Sequence, residues 1–201
     1  MTQNNLTVRT LGNAGLVESA RTLNNLIFKD FIPDIIIGIR SGGYIVAEIM
    51  TKAAAHKPLL LAISRRRAST QQKNKIKGLK NILRLLPYFI TNKLRIIEHK
   101  RLMTKPMAQQ QEFIPDANEI SALRGFLQAR TNSKILIVDD AVDSGATMKA
   151  VLELVRKEAN SSCTIKTAAI TVTTDAPLIQ PDYILYSHVL CRFPWSFDFK
   201  N

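Results

Sequence analysis

A run of four apolar residues, Ile135 to Val138, breaks off at the carboxylates Asp139, Asp140 and Asp143 and then at a glycine turn, Ser144 to Thr147. The run has no polar alternation, the pattern of a parallel strand covered on both faces. A second segment repeats the arrangement, since Ile35 to Ile39 is also unalternated and leads into Arg40, Ser41, Gly42 and Gly43. Buried strands of this kind need helices on both sides. Helical patterns at Leu16 to Lys29, Ile45 to Ala55, Asn118 to Ala129 and Thr147 to Ala159 alternate with further strands at Leu59 to Ile63 and Ile165 to Thr173, and a closing region begins at Tyr183. The expected fold class is therefore α/β, a doubly wound, mostly parallel sheet, spanning residues 1–201 as a single domain. Ligands in such folds sit beyond the carboxyl ends of the strands, where both glycine turns fall.

A strand-to-helix junction presents unpaired backbone N–H groups and the positive end of a helix dipole, which together hold a phosphate. Paired glycines let a backbone approach a ligand without Cβ interference, and they permit conformations that other residues resist. Three acids beside two anion cradles point to a phosphorylated sugar. Taken singly, the first motif also reads as a strand ending in helix-capping acids and the second as a plain turn.

The segment Lys134 to Thr147, KILIVDDAVDSGAT, resembles the phosphoribosyl pyrophosphate (PRPP) signature of type I phosphoribosyltransferases, and the turn Arg40 to Gly43 resembles their pyrophosphate loop. The resemblance implies that family's fold and a dimer or larger assembly. By the same resemblance Asp139 and Asp140 would sit at the ribose hydroxyls and an associated Mg²⁺, and Asp143, Ser144, Gly145, Ala146 and Thr147 would wrap the 5′-phosphate. Arg40, Ser41, Gly42 and Gly43 would take the pyrophosphate, joined by Arg65, whose guanidinium fork matches phosphate oxygens better than an ammonium does. At the place of Asp143 the enzymes for 6-oxopurines carry an aspartate that manages the proton on N7 of the base, so the implied catalytic acids are Asp143, Asp139 and Asp140.

Towards the C-terminus, Pro181, Asp182 and Tyr183, followed by Phe193, Pro194 and Trp195, resemble the small hood of bacterial xanthine-guanine and archaeal hypoxanthine enzymes. Those relatives place a base-stacking aromatic where this chain has Leu190, and a lysine toward the exocyclic oxygen where it has Thr173. Thr173, Leu190 and Trp195 are thus the expected acceptor-binding positions, with two recognition contacts replaced. Trp195 also reads as a core anchor. Three functions stay open on this basis. The first is transfer to a 6-oxopurine-like nucleobase, as in purine salvage. The second is transfer to a lipid-linked or sugar acceptor at a membrane, and the third is a non-catalytic PRPP-binding regulator.

Residues 65–115 form an insertion outside the resemblance, and residues 65–105 hold thirteen Lys or Arg against the one acid Glu98, which accounts for the whole formal excess of +12. Within it Ile76, Leu79, Leu83 and Leu86 are helically spaced, Pro87 interrupts, and Tyr88, Phe89, Ile90, Leu94, Ile96 and Ile97 continue the apolar character. A basic, partly helical segment of this kind reads as a lid over PRPP, as a solvated face, or as a helix lying on an anionic membrane surface. Sparse aromatics argue against nucleic acid. Cys163 and Cys191 lie in strand-like stretches and read as reduced thiols of a cytoplasmic protein, peripheral at the inner membrane face if the insertion binds lipid. His56, His99 and His188 have no ligand spacing and read as solvated or packed side chains. No run reaches the roughly eighteen apolar residues of a membrane span, and the polar start MTQNN is not a secretory signal.

Overall fold

The computed structural model describes residues 6–64, 83–104 and 116–200. Its centre is a five-stranded, all-parallel sheet in the order β3-β2-β4-β5-β6, formed by β2 (Ile35–Ile39), β3 (Leu59–Ile63), β4 (Lys134–Val142), β5 (Thr164–Val172) and β6 (Tyr183–Ser187). The two strands with unalternated apolar runs lie side by side in the middle, with Ile35 opposite Ile135 and Gly38 opposite Val138. Every residue of β2 is buried, as expected for a strand covered on both faces.

One face is covered by α1 (Asn13–Ile27) and α2 (Gly42–Ala53), the other by α4 (Ala117–Gln128) and α5 (Ala146–Glu158). In α1 the spacing of Leu16, Ala20, Leu23 and Ile27 puts all four on one buried stripe. Met148, Val151, Leu152 and Val155 do the same for α5 against Ile135 and Ile137. Each fully buried Leu, Ile or Val contributes about 1.5–3 kcal/mol, so these two stripes fix the rotations of one helix on each face of the sheet.

A two-stranded parallel ribbon of β1 (Thr7–Thr10) and β7 (Val189–Arg192) forms the base of the hood, with Val8 opposite Leu190. The periodicity gives no sign of β1, which is short, polar and mostly exposed. Four helices also begin earlier than their apolar patterns suggest, α1 at Asn13, α2 at Gly42, α4 at Ala117 and α5 at Ala146. Cys163 and Cys191 are both free thiols.

The insertion leaves and rejoins the sheet at one point. The Asp116 N–H donates to the Ser64 carbonyl at 3.2 Å, and the Ser64 hydroxyl donates to Glu119 in the first turn of α4 at 2.7 Å. Between these ends lies α3 (Tyr88–Met103); residues 83–85 are helical too, so Pro87 interrupts the helical run there as the sequence suggests and α3 starts directly after it. The helix turns a polar face inward and leaves apolar side chains outside. Thr91 and His99 are its buried residues, whereas Phe89, Leu94 and Ile97 are exposed. Arg65, Arg66, Arg67, Ile76 and Leu79 lie outside the described residues.

Candidate active site

The two glycine turns and the end of β4 converge. Asp139 is buried, and its Oδ1 accepts the Asp140 backbone N–H at 2.9 Å. Asp140 lies against Gly42 so closely that a Cβ on that glycine would fall 2.2 Å from Oδ2. A Cβ on Gly43 would fall 2.6 Å from the Val138 carbonyl oxygen and 2.7 Å from Asp139 Cα. Of the two reasons for paired glycines, close approach is the one at work here, since both residues are helical and neither has a positive φ. The Arg40–Ser41 peptide that precedes them is cis, and the Arg40 guanidinium lies 5.3 Å from the centre of the Tyr44 ring.

The second turn is a cradle. Gly145 has φ +78°, a left-handed conformation that favours glycine, and it caps α5. A cavity of about 160 Å³ sits over Asp143, Ser144, Gly145, Ala146 and Thr147. Its size and position at a helix N-terminus suit a phosphate.

Burial pushes the Asp139 carboxyl well above its usual range, and the charge of Asp140 beside it adds to the rise. Burial raises Asp140 as well, although the Trp195 indole N–H, donating to its Oδ2 at 3.2 Å, works in the opposite direction. Two like charges with little water around them favour an added cation. Among the described residues no group of three or more His, Cys, Asp or Glu could hold a metal ion alone. A metal at this pair would need further oxygen ligands from a substrate.

Beyond the cradle, a cavity of about 270 Å³ lies among Asp140, Asp143, Thr173, Leu190 and Trp195. The three positions expected to meet an acceptor therefore share one space with two signature acids. Thr173 is buried and donates its hydroxyl to Asp143 Oδ1 at 2.6 Å, so it holds the acid itself. Leu190 is a buried wall. Trp195 is half-buried and stacks on Phe193 with ring centres 4.9 Å apart, so it is neither a simple core anchor nor a free stacking platform. Burial pushes the neighbouring Cys191 thiol up to about 11, which keeps it protonated and unreactive near neutral pH.

The remaining wall comes from α3, through Arg95, His99 and Leu102. His99 is indeed packed, but it is packed into this cavity, with Nδ1 3.7 Å from Asp143 Oδ1. A polar stripe at steps of four, Thr91, Arg95 and His99, was the one sequence signal that could have found it. Arg192 fixes the rotation of α3 from below. Fully buried, it donates to Thr91 at 3.0 Å, Asn92 at 2.7 Å, Thr10 at 2.7 Å and Asp198 at 2.8 Å. Arg95 reaches the same Asp198 and the Cys191 carbonyl.

Residues 11–197 match the sequence family described as phosphoribosyl transferase domain. The chain belongs to this family. As a phosphoribosyltransferase it is an enzyme of phosphoribosyl transfer, and its all-parallel sheet with helices on both faces is the family's fold. The solved structure of purine phosphoribosyltransferase from Pyrococcus horikoshii is similar over 93% of each chain, at 19% identity and a TM-score of 0.54. A xanthine-guanine-hypoxanthine phosphoribosyltransferase from Helicobacter pylori is similar over 94% of this chain and 95% of its own, at 14% identity and a TM-score of 0.57. A hypothetical protein from Neisseria gonorrhoeae with bound ppGpp gives a TM-score of 0.58 at 16% identity, over 96% of this phosphoribosyltransferase and 91% of its own chain. At such identities the likeness is one of fold. No curated protein sequence matches the chain.

Proposed function

We propose that this enzyme moves the 5-phosphoribosyl group from PRPP to a nitrogen heterocycle of the 6-oxopurine kind and releases pyrophosphate. The observation that carries the reading is Asp143, which borders both the phosphate cradle and the larger cavity beside it. The 5′-phosphate would rest on the amides of 143–147, and the pyrophosphate on Arg40, Ser41 and the first turn of α2. Arg65 is proposed to join them from outside the described residues. Asp139 and Asp140 would hold Mg²⁺ together with PRPP oxygens, consistent with the raised carboxyls of that pair. When bound, such an ion neutralises charge on the departing pyrophosphate.

As the anomeric carbon gains positive character, its bond to pyrophosphate breaks and the electron pair leaves with the phosphates. The unprotonated ring nitrogen of the acceptor bonds to that carbon, and the proton on the other ring nitrogen, N7 in a 6-oxopurine, passes to Asp143, which Thr173 holds in place. With PRPP, Mg²⁺ and a panel of bases, guanine, xanthine or hypoxanthine should release pyrophosphate. Asp143→Asn should lower kcat by about 10²–10⁴-fold, the usual contribution of a positioned base, with PRPP affinity changed only severalfold. Inertness of every base, with PRPP still bound, removes the acceptor assignment.

A second reading keeps the donor and places the enzyme on an anionic membrane with a lipid-linked or sugar acceptor. The outward side of α3 favours it. Phe89 is 66% exposed, Ile97 63% and Leu94 44%, and Lys93, Lys100 and Arg101 are exposed beside them. Apolar groups bordered by cations suit a phospholipid interface, which offers both anions and hydrocarbon. A groove of about 340 Å³ between Leu83, Leu94 and Phe197 adjoins the acceptor cavity at Trp195 and would give a larger acceptor room. On this reading the protein floats with phosphatidylglycerol liposomes and not with neutral ones, and Phe89→Asp with Ile97→Asp abolishes the association. Flotation that the paired substitution leaves unchanged refutes it. Among the described residues no helix is long and apolar enough to cross a membrane.

A further inference from the structure

We propose that His99 is a positioning residue of the acceptor site, acting through Asp143. The inference rests on the reading of Asp143 as the group that takes the acceptor's proton. The carboxylate has two oxygens, and the described residues occupy them unequally. Oδ1 accepts the Thr173 hydroxyl at 2.6 Å and lies 3.7 Å from His99 Nδ1. Oδ2 accepts no hydrogen bond from the described residues and is the oxygen left for the acceptor.

A buried imidazole beside an exposed carboxylate needs a reason to stay there. The His99 side chain is 10% exposed, against 54% for that of Asp143, and its ring makes no hydrogen bond among the described residues. What holds it at the cavity is the docking of α3. Arg192 binds Thr91 and Asn92, and Arg95 binds Asp198, so the helix presents His99 one turn beyond Arg95. The residue thus stands on a rigid element braced by buried hydrogen bonds, which is how a positioning group is kept in place.

The distance of 3.7 Å exceeds a hydrogen bond, and small side-chain rotations of the exposed Asp143 close it. With the proton on Nδ1, His99 donates to Oδ1 alongside Thr173 and turns Oδ2 toward the acceptor. During transfer the acceptor nitrogen forms its bond to the anomeric carbon and the bond from that carbon to pyrophosphate breaks. The acceptor's N–H proton then moves to Oδ2. His99 changes no bond in this sequence. Its effect falls on turnover of acceptors that must lose a proton, and not on PRPP.

Two measurements test the assignment. His99→Ala should lower kcat by about tenfold or more, a part of the 10²–10⁴-fold that a positioned base supplies, with KM for PRPP unchanged. His99→Asn, whose amide nitrogen can replace Nδ1, should recover much of the loss. In an Asp143→Asn background His99→Ala should cost nothing further. Unchanged kcat in His99→Ala, or losses that add independently with those of Asp143→Asn, overturns the proposal.

The second measurement needs no acceptor. The chain has three histidines, so nitrogen NMR of the His56→Gln, His188→Gln protein isolates the His99 ring. The expected result is a ring that carries a proton on Nδ1 and donates it toward Asp143, a preference that Asp143→Asn and Thr173→Val alter. An Nε2-protonated ring indifferent to Asp143 overturns the proposal even if no base is ever turned over. A failure of the base panel alone removes the 6-oxopurine reading and leaves this ring measurement to decide the role of His99.

Discussion

Gly43→Ala is expected to abolish useful PRPP binding, weakening it by at least tenfold, and to lower the stability of the fold. The added methyl would fall 2.6 Å from the Val138 carbonyl oxygen, 2.7 Å from Asp139 Cα and 2.9 Å from Asp139 Oδ1. Two of these three neighbours belong to the backbone of β4, the central strand, which packs against partners on both sides. Nothing flexible can yield, so the first turn of α2 must move away from the strand end. Overpacking of this kind costs roughly 1–3 kcal/mol. The displacement separates the pyrophosphate turn from the carboxylates that it must face across the same substrate. Gly125→Ala is the control, because a Cβ there meets nothing within 4 Å and the site is helical. It should leave PRPP binding untouched and stabilise by about 0.5–1 kcal/mol, the usual gain of alanine over glycine within a helix. Calorimetric titration of PRPP and thermal melts of both variants decide the matter. Gly43→Ala binding like the wild type would mean that the two turns need not touch.

The sheet could be read from the sequence because its information is local. Unalternated runs of Ile, Leu and Val in β2 and β4 can only be satisfied between two helical layers, and glycines and acids mark where those strands stop. The phosphate turns could be read for the same reason, since a loop that binds with its backbone writes its requirements into adjacent residues. The acceptor cavity is different. Thr173 looks like a lost lysine until Asp143 is seen accepting its hydroxyl across 30 residues of chain. His99 carries no motif, and its partner Asp143 lies in the turn after β4, beyond the whole insertion. The polar docking face of α3 was hidden by the same limit. Hydrophobic periodicity finds the face of a helix that leaves water for hydrocarbon, whereas α3 docks through Thr91, Asn92 and Arg95, whose partners Arg192 and Asp198 are distant in sequence. β1 was hidden for a related reason, as its pairing with β7 rests on backbone hydrogen bonds that any sequence can make.

Arg192→Met should destabilise the protein by about 3–5 kcal/mol, because it takes from the buried Asp198 one of its two guanidinium partners and leaves the oxygens of Thr10, Thr91 and Asn92 without their donor. In a chain of 201 residues that corresponds to a fall in Tm of roughly 6–20 °C. The guanidinium is matched by Asp198, Thr10, Thr91 and Asn92, and it lies 4.3 Å from the centre of the Tyr88 ring. Methionine fills similar space and satisfies none of these oxygens. Arg192→Lys keeps the charge without the fork and should fall between the two. The loss carries a pH signature. Burial alone would raise the Asp198 carboxyl, but Arg95 and Arg192 outweigh it and hold the group below its usual range. A carboxyl depressed by folding stabilises the native state above its unfolded pKa, about 3.9, and that contribution disappears as pH falls through the lower folded value. Wild-type stability should therefore drop on the acid side of about pH 4, and in Arg192→Met, with burial less opposed, that slope should flatten or reverse. Function separates the docking role from general loosening. With α3 released, His99 and Arg95 leave the acceptor cavity while both phosphate turns stay on the sheet, so PRPP should still bind below the new Tm and turnover should fall. A variant that loses PRPP binding and turnover together at such temperatures would show that Arg192 supports the whole sheet and not the helix alone.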